Sequence, residues 1–266
     1  MRFFQFGCGN MGGAMLAGWL AGGIDPAAFT VIDPYLAAPP AGVRQCDALP
    51  PGEAPADVVL LGFKPQQLAG AAEAVAPAIG ADTLVLSILA GVDLATLRAT
   101  FPAAGAIVRV MPNLAAALGK SPIALFGDTA RRAEVDRLMA PLGQAEWLAQ
   151  EADMDLVTAL AGSGPAFVYR FIDALAAGAA ALGLPRDQAD RLALAMVEGA
   201  AQLAAASPHS PAELARRVAS PGGVTQVGID VLDADDRLVR LTTDTLRGAR
   251  DRSAEMTAEA IARLRG

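Results

Sequence analysis

Four groups of residues in this chain of 266 have types and spacings that suit chemistry. The first is Gly7-Cys8-Gly9-Asn10-Met11-Gly12, a G-x-G-x-x-G pattern. Its first glycine suits a tight turn, its second lets a pyrophosphate approach the backbone, and its third lets a helix pack on a strand. Asp33 follows about 20 residues later, where a carboxylate would accept ribose hydroxyls; before Pro34 it equally suits a turn. The third group is Gly62-Phe63-Lys64-Pro65, which would fix a cation after an apolar run. The fourth is Ser220-Pro221-Gly222-Gly223-Val224-Thr225. With Ser220 as N-cap and Pro221 at the first helical position, the glycines, Val224 and Thr225 form a first helical turn whose free N–H groups and dipole favour an anion. A capped surface helix is the plainer reading of the same residues.

These groups need elements to hold them. Arg2 to Phe6 reads as a strand before the glycines, and Met15, Leu16, Trp19 and Leu20 as a helix after them. Phe29–Ile32, Asp57–Leu61, Thr83–Ile88 and Ala106–Val110 read as further strands, with helices at Gln66–Ile79 and Leu94–Thr100. Continuous apolar strands separated by helices predict a parallel sheet covered on both faces, with its ligand crevice at the C-terminal strand ends. Leu89-Ala90-Gly91 and Met111-Pro112-Asn113 also lie at those ends; Asn113 suits a helix cap as well. After an apolar run at Ile123–Phe126 and a helix near Ala130–Leu142 the strands stop, so the domain boundary is expected near Gln150. From Asp153 onward the pattern is helical and rich in Ala and Leu, as expected of a dimer interface. Pro165 is expected to begin a helix after Gly162-Ser163-Gly164, and Arg247–Arg265 to form an amphipathic terminal helix.

Composition excludes several classes. A formal net charge of −7 gives no basic footprint for nucleic acid. Hydrophobic residues reach 53%, yet the apolar run Ala174–Leu184 is shorter than the ~18 residues a bilayer span needs. With no signal peptide recognised, the expectation is a cytoplasmic protein with no membrane partner. Cys8 and Cys46 lack metal-ligand spacing, and His209 is the only histidine. No metal site and no histidine-based triad are therefore expected.

Five blocks, in order, resemble the pyrroline-5-carboxylate reductase family: Gly7–Gly12, Lys64-Pro65, Arg109-Val110-Met111-Pro112-Asn113, Thr158–Ala166 and Ser220–Thr225. The glycine block is shared by many dehydrogenases, whereas the last is close to a family signature. The resemblance implies an α/β fold with an N-terminal Rossmann-type dinucleotide-binding domain, residues 1–150, followed by an all-α dimerisation domain, residues 151–266. It implies an active site shared between two subunits and hydride transfer from NADPH or NADH to 1-pyrroline-5-carboxylate, giving L-proline.

Carried over by residue, Phe6, Gly7, Cys8, Gly9, Asn10, Met11, Gly12, Gly62, Phe63, Lys64, Pro65, Ala90 and Gly91 would hold the dinucleotide, joined by Asp33 from its place at the end of the second strand. Glu151, Ser220, Gly222, Gly223, Val224 and Thr225 line the substrate site, with Thr225 hydrogen-bonding the ring nitrogen as the catalytic residue. Asp33 departs from NADPH-preferring relatives and favours NADH; Arg217, where relatives often carry Asn, supplies a compensating cation, and Leu114 replaces a Thr. A related imine reductase or a non-catalytic dinucleotide sensor are the alternatives. A hydroxyacid dehydrogenase is disfavoured, because the only lysines are Lys64 and Lys120, both in the N-terminal half.

Overall fold

A computed structural model describes residues 1–265, with side chains through Glu259. Two compact units divide it: residues 1–162 with 249–266, and residues 163–248.

The first unit begins with strand β1 (Phe3–Phe6) and helix α1 (Asn10–Ala21), followed by β2 (Phe29–Ile32), β3 (Arg44–Cys46) and β4 (Val58–Leu61). Helix α2 (Leu68–Val75), β5 (Leu84–Ser87), α3 (Leu94–Thr100) and β6 (Ala106–Met111) come next, then β7 (Ser121–Gly127), α4 (Arg132–Met139) and β8 (Gly143–Trp147). A 3₁₀ turn at Glu151–Asp153 leads into α5 (Met154–Val157) and a π-helical turn at Thr158–Gly162.

The eight strands form one sheet in the order β3-β2-β1-β4-β5-β6-β7-β8. Pairing is parallel from β3 through β6, with Phe3 opposite Phe29 on one side and Val58 on the other. The expectation of a wholly parallel sheet is corrected at β7, which runs antiparallel to β6, with Arg109 opposite Phe126. The link from β6 to β7 is a single 3₁₀ turn, Leu114–Leu118. That is too short for the helical crossover a parallel neighbour requires.

Successive side chains alternate between the two faces, so Phe3, Val58, Leu60, Leu84 and Leu86 join one core while Phe4, Val59, Leu61 and Val85 join the other. Helices α1 and α4 cover the first face through Met15, Leu16, Trp19, Val135, Leu138 and Met139. Buried Trp19 donates from Nε1 to the Leu138 carbonyl at 2.7 Å, satisfying its one polar atom. Helices α2 and α3 cover the second face with Leu68, Val75 and Leu97.

Helix predictions need trimming where proline intervenes. Residues 66–79 are not one helix: Pro65–Gln67 and Ala76–Ala78 are 3₁₀ turns flanking α2. Pro77 has no N–H to continue an α-helical ladder, so α2 ends at Val75.

The second unit holds α6 (Gly164–Ala181), α7 (Arg186–Ala206), α8 (Pro211–Val218) and α9 (Val224–Asp233). Helix α10 (Arg237–Arg265) starts ten residues before the expected Arg247, and its residues from Ala249 belong to the first unit. Pro165 lies in the first turn of α6, as expected. Helices α6 and α7 pack through Ala176, Ala189 and Ala193 and are tied at the surface by Arg186, which pairs with Asp173 and Asp190 at 2.6 and 2.8 Å. Three alanines are a very small core for helices of 18 and 21 residues. Large apolar residues remain outside: Tyr169, Leu192, Leu194, Leu203 and Val224 are each more than half exposed. Among the described residues no helix is long and apolar enough to cross a membrane.

Candidate active site

Strand order reverses between β1 and β4, the neighbours from which the sheet grows outward in both directions. In an open α/β sheet the crevice forms at the C-terminal strand ends of such a switch point. A cavity of about 670 Å³ lies there. Three post-strand loops and the tip of β2 build it.

The loop after β1 is tight because Gly7 has φ +87°, and a Cβ there would lie 2.7 Å from the Phe63 backbone nitrogen. Gly9 caps α1 with no side-chain acceptor, and the first α-helical bond runs from the Gly13 N–H to the Gly9 carbonyl at 2.7 Å. The N–H groups of Asn10, Met11 and Gly12 therefore have no intrahelical partner, which with the helix dipole makes an anion site. A Cβ built on Gly9 would meet nothing within 4 Å, so the approach to this helix start is open.

Asp33 is the turn residue that its place before Pro34 suggested, and it also ties down the glycine loop. Its Oδ1 accepts the Tyr35 N–H at 2.9 Å, closing the turn, and its Oδ2 accepts the Cys8 N–H at 2.7 Å, fixing the glycine loop. It lines the cavity together with Pro34 and Tyr35. Burial, and then the Asp33 charge, push the Cys8 thiol above its ordinary pKa.

After β4, Gly62 donates its N–H to the Phe6 carbonyl at 2.7 Å, clamping the second loop to the first. Gln67 closes the turn that follows, its Oε1 accepting the Lys64 N–H at 2.9 Å. Lys64 itself is exposed at the cavity. After β5 the turn Leu89–Val92 closes through a 3.3 Å bond from the Val92 N–H to the Leu89 carbonyl, with Gly91 at φ +76°.

Of the expected cofactor residues, Phe6, Gly7, Gly9, Asn10, Met11, Asp33, Gly62, Phe63, Lys64, Pro65 and Ala90 line this cavity. Cys8 and Gly12 do not line it; a Cβ on Gly12 would lie 2.8 Å from the Gly7 carbonyl oxygen. Gly91 faces away, where a Cβ would come within 3.0 Å of the Thr257 Cα. Arg217 lies in the last turn of α8 in the second unit, paired with Glu213 at 3.1 Å. Ile32, Pro34, Tyr35, Gln67, Ala71 and Ile88 complete the cavity and were not foreseen, because nothing in their types marks them. The donor set fits a dinucleotide: backbone N–H groups for a pyrophosphate, a carboxylate at the β2 tip and a lysine beside them.

Three further residues meet beyond this cavity. Glu151 Oε1 accepts from Arg109 Nη1 and from the Leu94 N–H, both at 2.7 Å. Asn113 does cap the turn after β6, its Oδ1 accepting the Ala115 N–H at 2.9 Å. Its Nδ2 also donates to the Ala161 carbonyl at 2.9 Å, anchoring the π-helical turn to the sheet. Arg109 is itself a signal in the sequence: a charge inside the apolar strand Ala106–Met111 needs a counter-charge.

The Ser220 block differs from its expected form. Ser220 is not the helix cap: the Gly223 N–H bonds to the Ser220 carbonyl at 2.9 Å, and Gly222 has φ +72°. Pro221 and Gly222 thus occupy the centre of a type II turn, which cannot continue as helix. Helix α9 begins afterwards with Gly223 as cap. Its unpartnered N–H groups are those of Val224, Thr225 and Gln226, since Val227 already bonds to the Gly223 carbonyl at 3.2 Å. Val224 and Thr225 are exposed, so the bare N–H groups of this helix start lie three residues toward the C-terminus of where the sequence suggested.

Comparison with known proteins covers nearly the whole chain. Residues 151–256 match the family model for pyrroline-5-carboxylate reductase dimerisation. A pyrroline-5-carboxylate reductase of Pseudomonas aeruginosa is 36% identical, with 97% of each chain covered. A solved pyrroline-5-carboxylate reductase from Coxiella burnetii has a TM-score of 0.87 at 30% identity, covering 96% of this chain and 97% of its own. The Plasmodium falciparum pyrroline carboxylate reductase, solved with NADP bound, shares the fold at a TM-score of 0.80 and 23% identity, covering 97% of this chain and 98% of its own. The chain belongs to the pyrroline-5-carboxylate reductase family.

Proposed function

We propose that this protein reduces the C=N bond of 1-pyrroline-5-carboxylate to give L-proline, using NADH or NADPH, in proline biosynthesis in the cytoplasm. The observation that carries the reading is the cavity at the β1/β4 switch point, in a chain 36% identical along 97% of its length to a reductase of that name.

The dinucleotide, when bound, supplies the hydride that goes to the imine carbon. The chain's own work is binding and orientation. The open N–H groups at the start of α1 take the pyrophosphate, Asp33 takes ribose hydroxyls, and Lys64 adds a positive charge beside them. A carboxylate at the β2 tip repels a 2′-phosphate, so Asp33 favours NADH. The loops after β4 and β5 lie on the far side of the switch point from Asp33, and they receive the nicotinamide half.

In the substrate site, the N–H groups of Val224, Thr225 and Gln226 hold the substrate carboxylate, and Thr225 Oγ1 orients the ring nitrogen. The Ser220-Pro221-Gly222-Gly223 turn leaves that helix start bare. An imine that arrives protonated needs no general acid: the hydride neutralises the iminium, and the resulting amine takes its next proton from water. The chain's lack of a histidine beside these motifs is consistent with this economy.

The protein works as a homodimer, or a larger assembly built from it. Helices α6 and α7 bury only a small alanine core while leaving residues such as Leu192 and Leu203 at 56% and 72% exposure, apolar surface that a second copy would cover. The α9 start of one subunit completes the site of the other.

Thr225→Ala tests the substrate role. One hydrogen bond to a charged group contributes about 1.5–3 kcal/mol, so turnover should fall roughly 10- to 150-fold while dinucleotide affinity stays within about twofold. Equal loss of both would remove Thr225 from the substrate site.

A further inference from the structure

The peptide unit that joins Gly7 to Cys8 is held at both ends. Its N–H donates to Asp33 Oδ2 at 2.7 Å, and its carbonyl oxygen accepts from Gln5 Nε2 at 3.1 Å. Gly7 has φ +87°, and a glycine lets the peptide unit after it turn unless other groups fix it. Gln5 lies inside β1, 1% exposed, on the same face of the sheet as Phe3. The last glycine of the motif rests on the same bond. A Cβ on Gly12 would lie 2.8 Å from the Gly7 carbonyl oxygen and 2.9 Å from Gln5 Nε2.

For folding alone, Gln5 is a poor choice. Among the described residues, its Oε1 is a buried side-chain atom with no hydrogen-bond partner in the protein. Leaving a buried acceptor unpaired costs more than one neutral hydrogen bond contributes, so an apolar residue of the same length would serve this strand better. A residue that works against its own core is expected where function asks for it. Burial and the Asp33 charge raise the Cys8 thiol, and the Gln5 amide opposes both by bonding to it. The carboxamide thus serves two successive residues of the glycine loop, Gly7 and Cys8.

We propose that Gln5 is a positioning residue for the dinucleotide: it fixes the Gly7–Cys8 peptide unit from β1 while Asp33 fixes it from the tip of β2, and together they aim the N–H groups at the start of α1. The inference rests on the reading that the switch-point cavity takes the dinucleotide. It adds to that site a residue that does not line it.

The test uses the full chain, with Gln5→Met, which keeps the length and removes both polar atoms, and Gln5→Asn, which keeps the amide but stops one methylene short. It measures the NADH Kd by titration, steady-state rates in NADH and imine, a thermal melt without dinucleotide, and amide exchange of residues 7–13 with and without NADH. Gln5→Met should melt no earlier than the original protein, yet its NADH Kd and KM should rise about 2- to 10-fold, the worth of one neutral hydrogen bond. At saturating NADH, kcat and the imine KM should stay within about twofold. Without NADH, exchange at the bonded N–H groups of Cys8 and Gly13 should quicken severalfold. Gln5→Asn should weaken NADH to a similar degree.

An NADH Kd raised less than about twofold in a folded Gln5→Met protein would overturn the proposal. So would a rise matched by an equal rise in the imine KM, which marks general loosening. Should Gln5→Met fail to fold, Gln5→Asn decides by the same NADH and imine readouts. If NADH fails to slow exchange at residues 7–13 in the original protein, the cavity reading itself falls. Protection there with an unchanged NADH Kd in both variants removes only the role of Gln5.

Discussion

Replacing Asp33 separates two tasks that one carboxylate performs. Asp33 receives N–H groups from Cys8 and Tyr35 at 2.7 and 2.9 Å, and it stands at the cavity where ribose hydroxyls are expected. In Asp33→Ser the shorter hydroxyl still serves the Tyr35 N–H two residues on, but it cannot reach Cys8. One hydrogen bond to a charged acceptor is lost, about 1.5–3 kcal/mol. At about 2–4 °C per kcal/mol for a unit of this size, the melting temperature should fall by about 3–12 °C. Asp33→Asn keeps an oxygen for the Cys8 N–H and should fall less. Both variants remove the negative charge. A carboxylate about 5 Å from an added phosphate charge costs about 1–3 kcal/mol at effective dielectric constants of 80 down to 20. The ratio of kcat/KM for NADPH over NADH should therefore rise about 5- to 150-fold in both. Steady-state rates with each dinucleotide and a thermal melt are sufficient. A ratio that moves less than about twofold in Asp33→Asn would refute the ribose role, and a melt equally lowered in both variants would refute the account of the glycine-loop tie.

Two smaller predictions follow from the same region. Gly91→Ala puts a Cβ 3.0 Å from the Thr257 Cα at a φ of +76°; a left-handed residue costs about 1–2 kcal/mol, so the protein should melt earlier and its dinucleotide KM should rise severalfold in steady-state assays. Because burial and the Asp33 charge raise the Cys8 thiol, the reactive thiolate is scarce below the raised pKa and accumulates only as pH climbs through it. Iodoacetamide labelling of Cys8, followed by mass spectrometry, should be slower at pH 8 than for a free thiol and should accelerate into the alkaline range; fast labelling at pH 8 would contradict this environment.

What the sequence revealed follows burial. Central strands β1, β2, β4, β5 and β6 are buried on both faces and read as mostly apolar runs, so their bounds are legible within a residue or two. The two edge strands were missed. Arg44-Gln45-Cys46 and Gly143-Gln144-Ala145-Glu146-Trp147 pair on one side only and stay partly exposed, so nothing in their composition demands a sheet. The glycine motif was legible because Gly7 has no room for a side chain. The Ser220 block misled by one turn: Ser-Pro suits a helix start, but the positive φ at Gly222 makes a type II turn that only tertiary structure reveals. The bonds from Arg109 and Leu94 to Glu151 were illegible for a different reason. They span 42 and 57 residues, and no local pattern connects them.

The central claim is that this chain transfers hydride to a cyclic imine, and the most direct measurement is the initial rate of dinucleotide oxidation with 1-pyrroline-5-carboxylate, run in parallel with NADH and NADPH. Turnover is predicted with both, with the larger kcat/KM for NADH because of Asp33. Binding of either dinucleotide without any oxidation in the presence of the imine would contradict the claim.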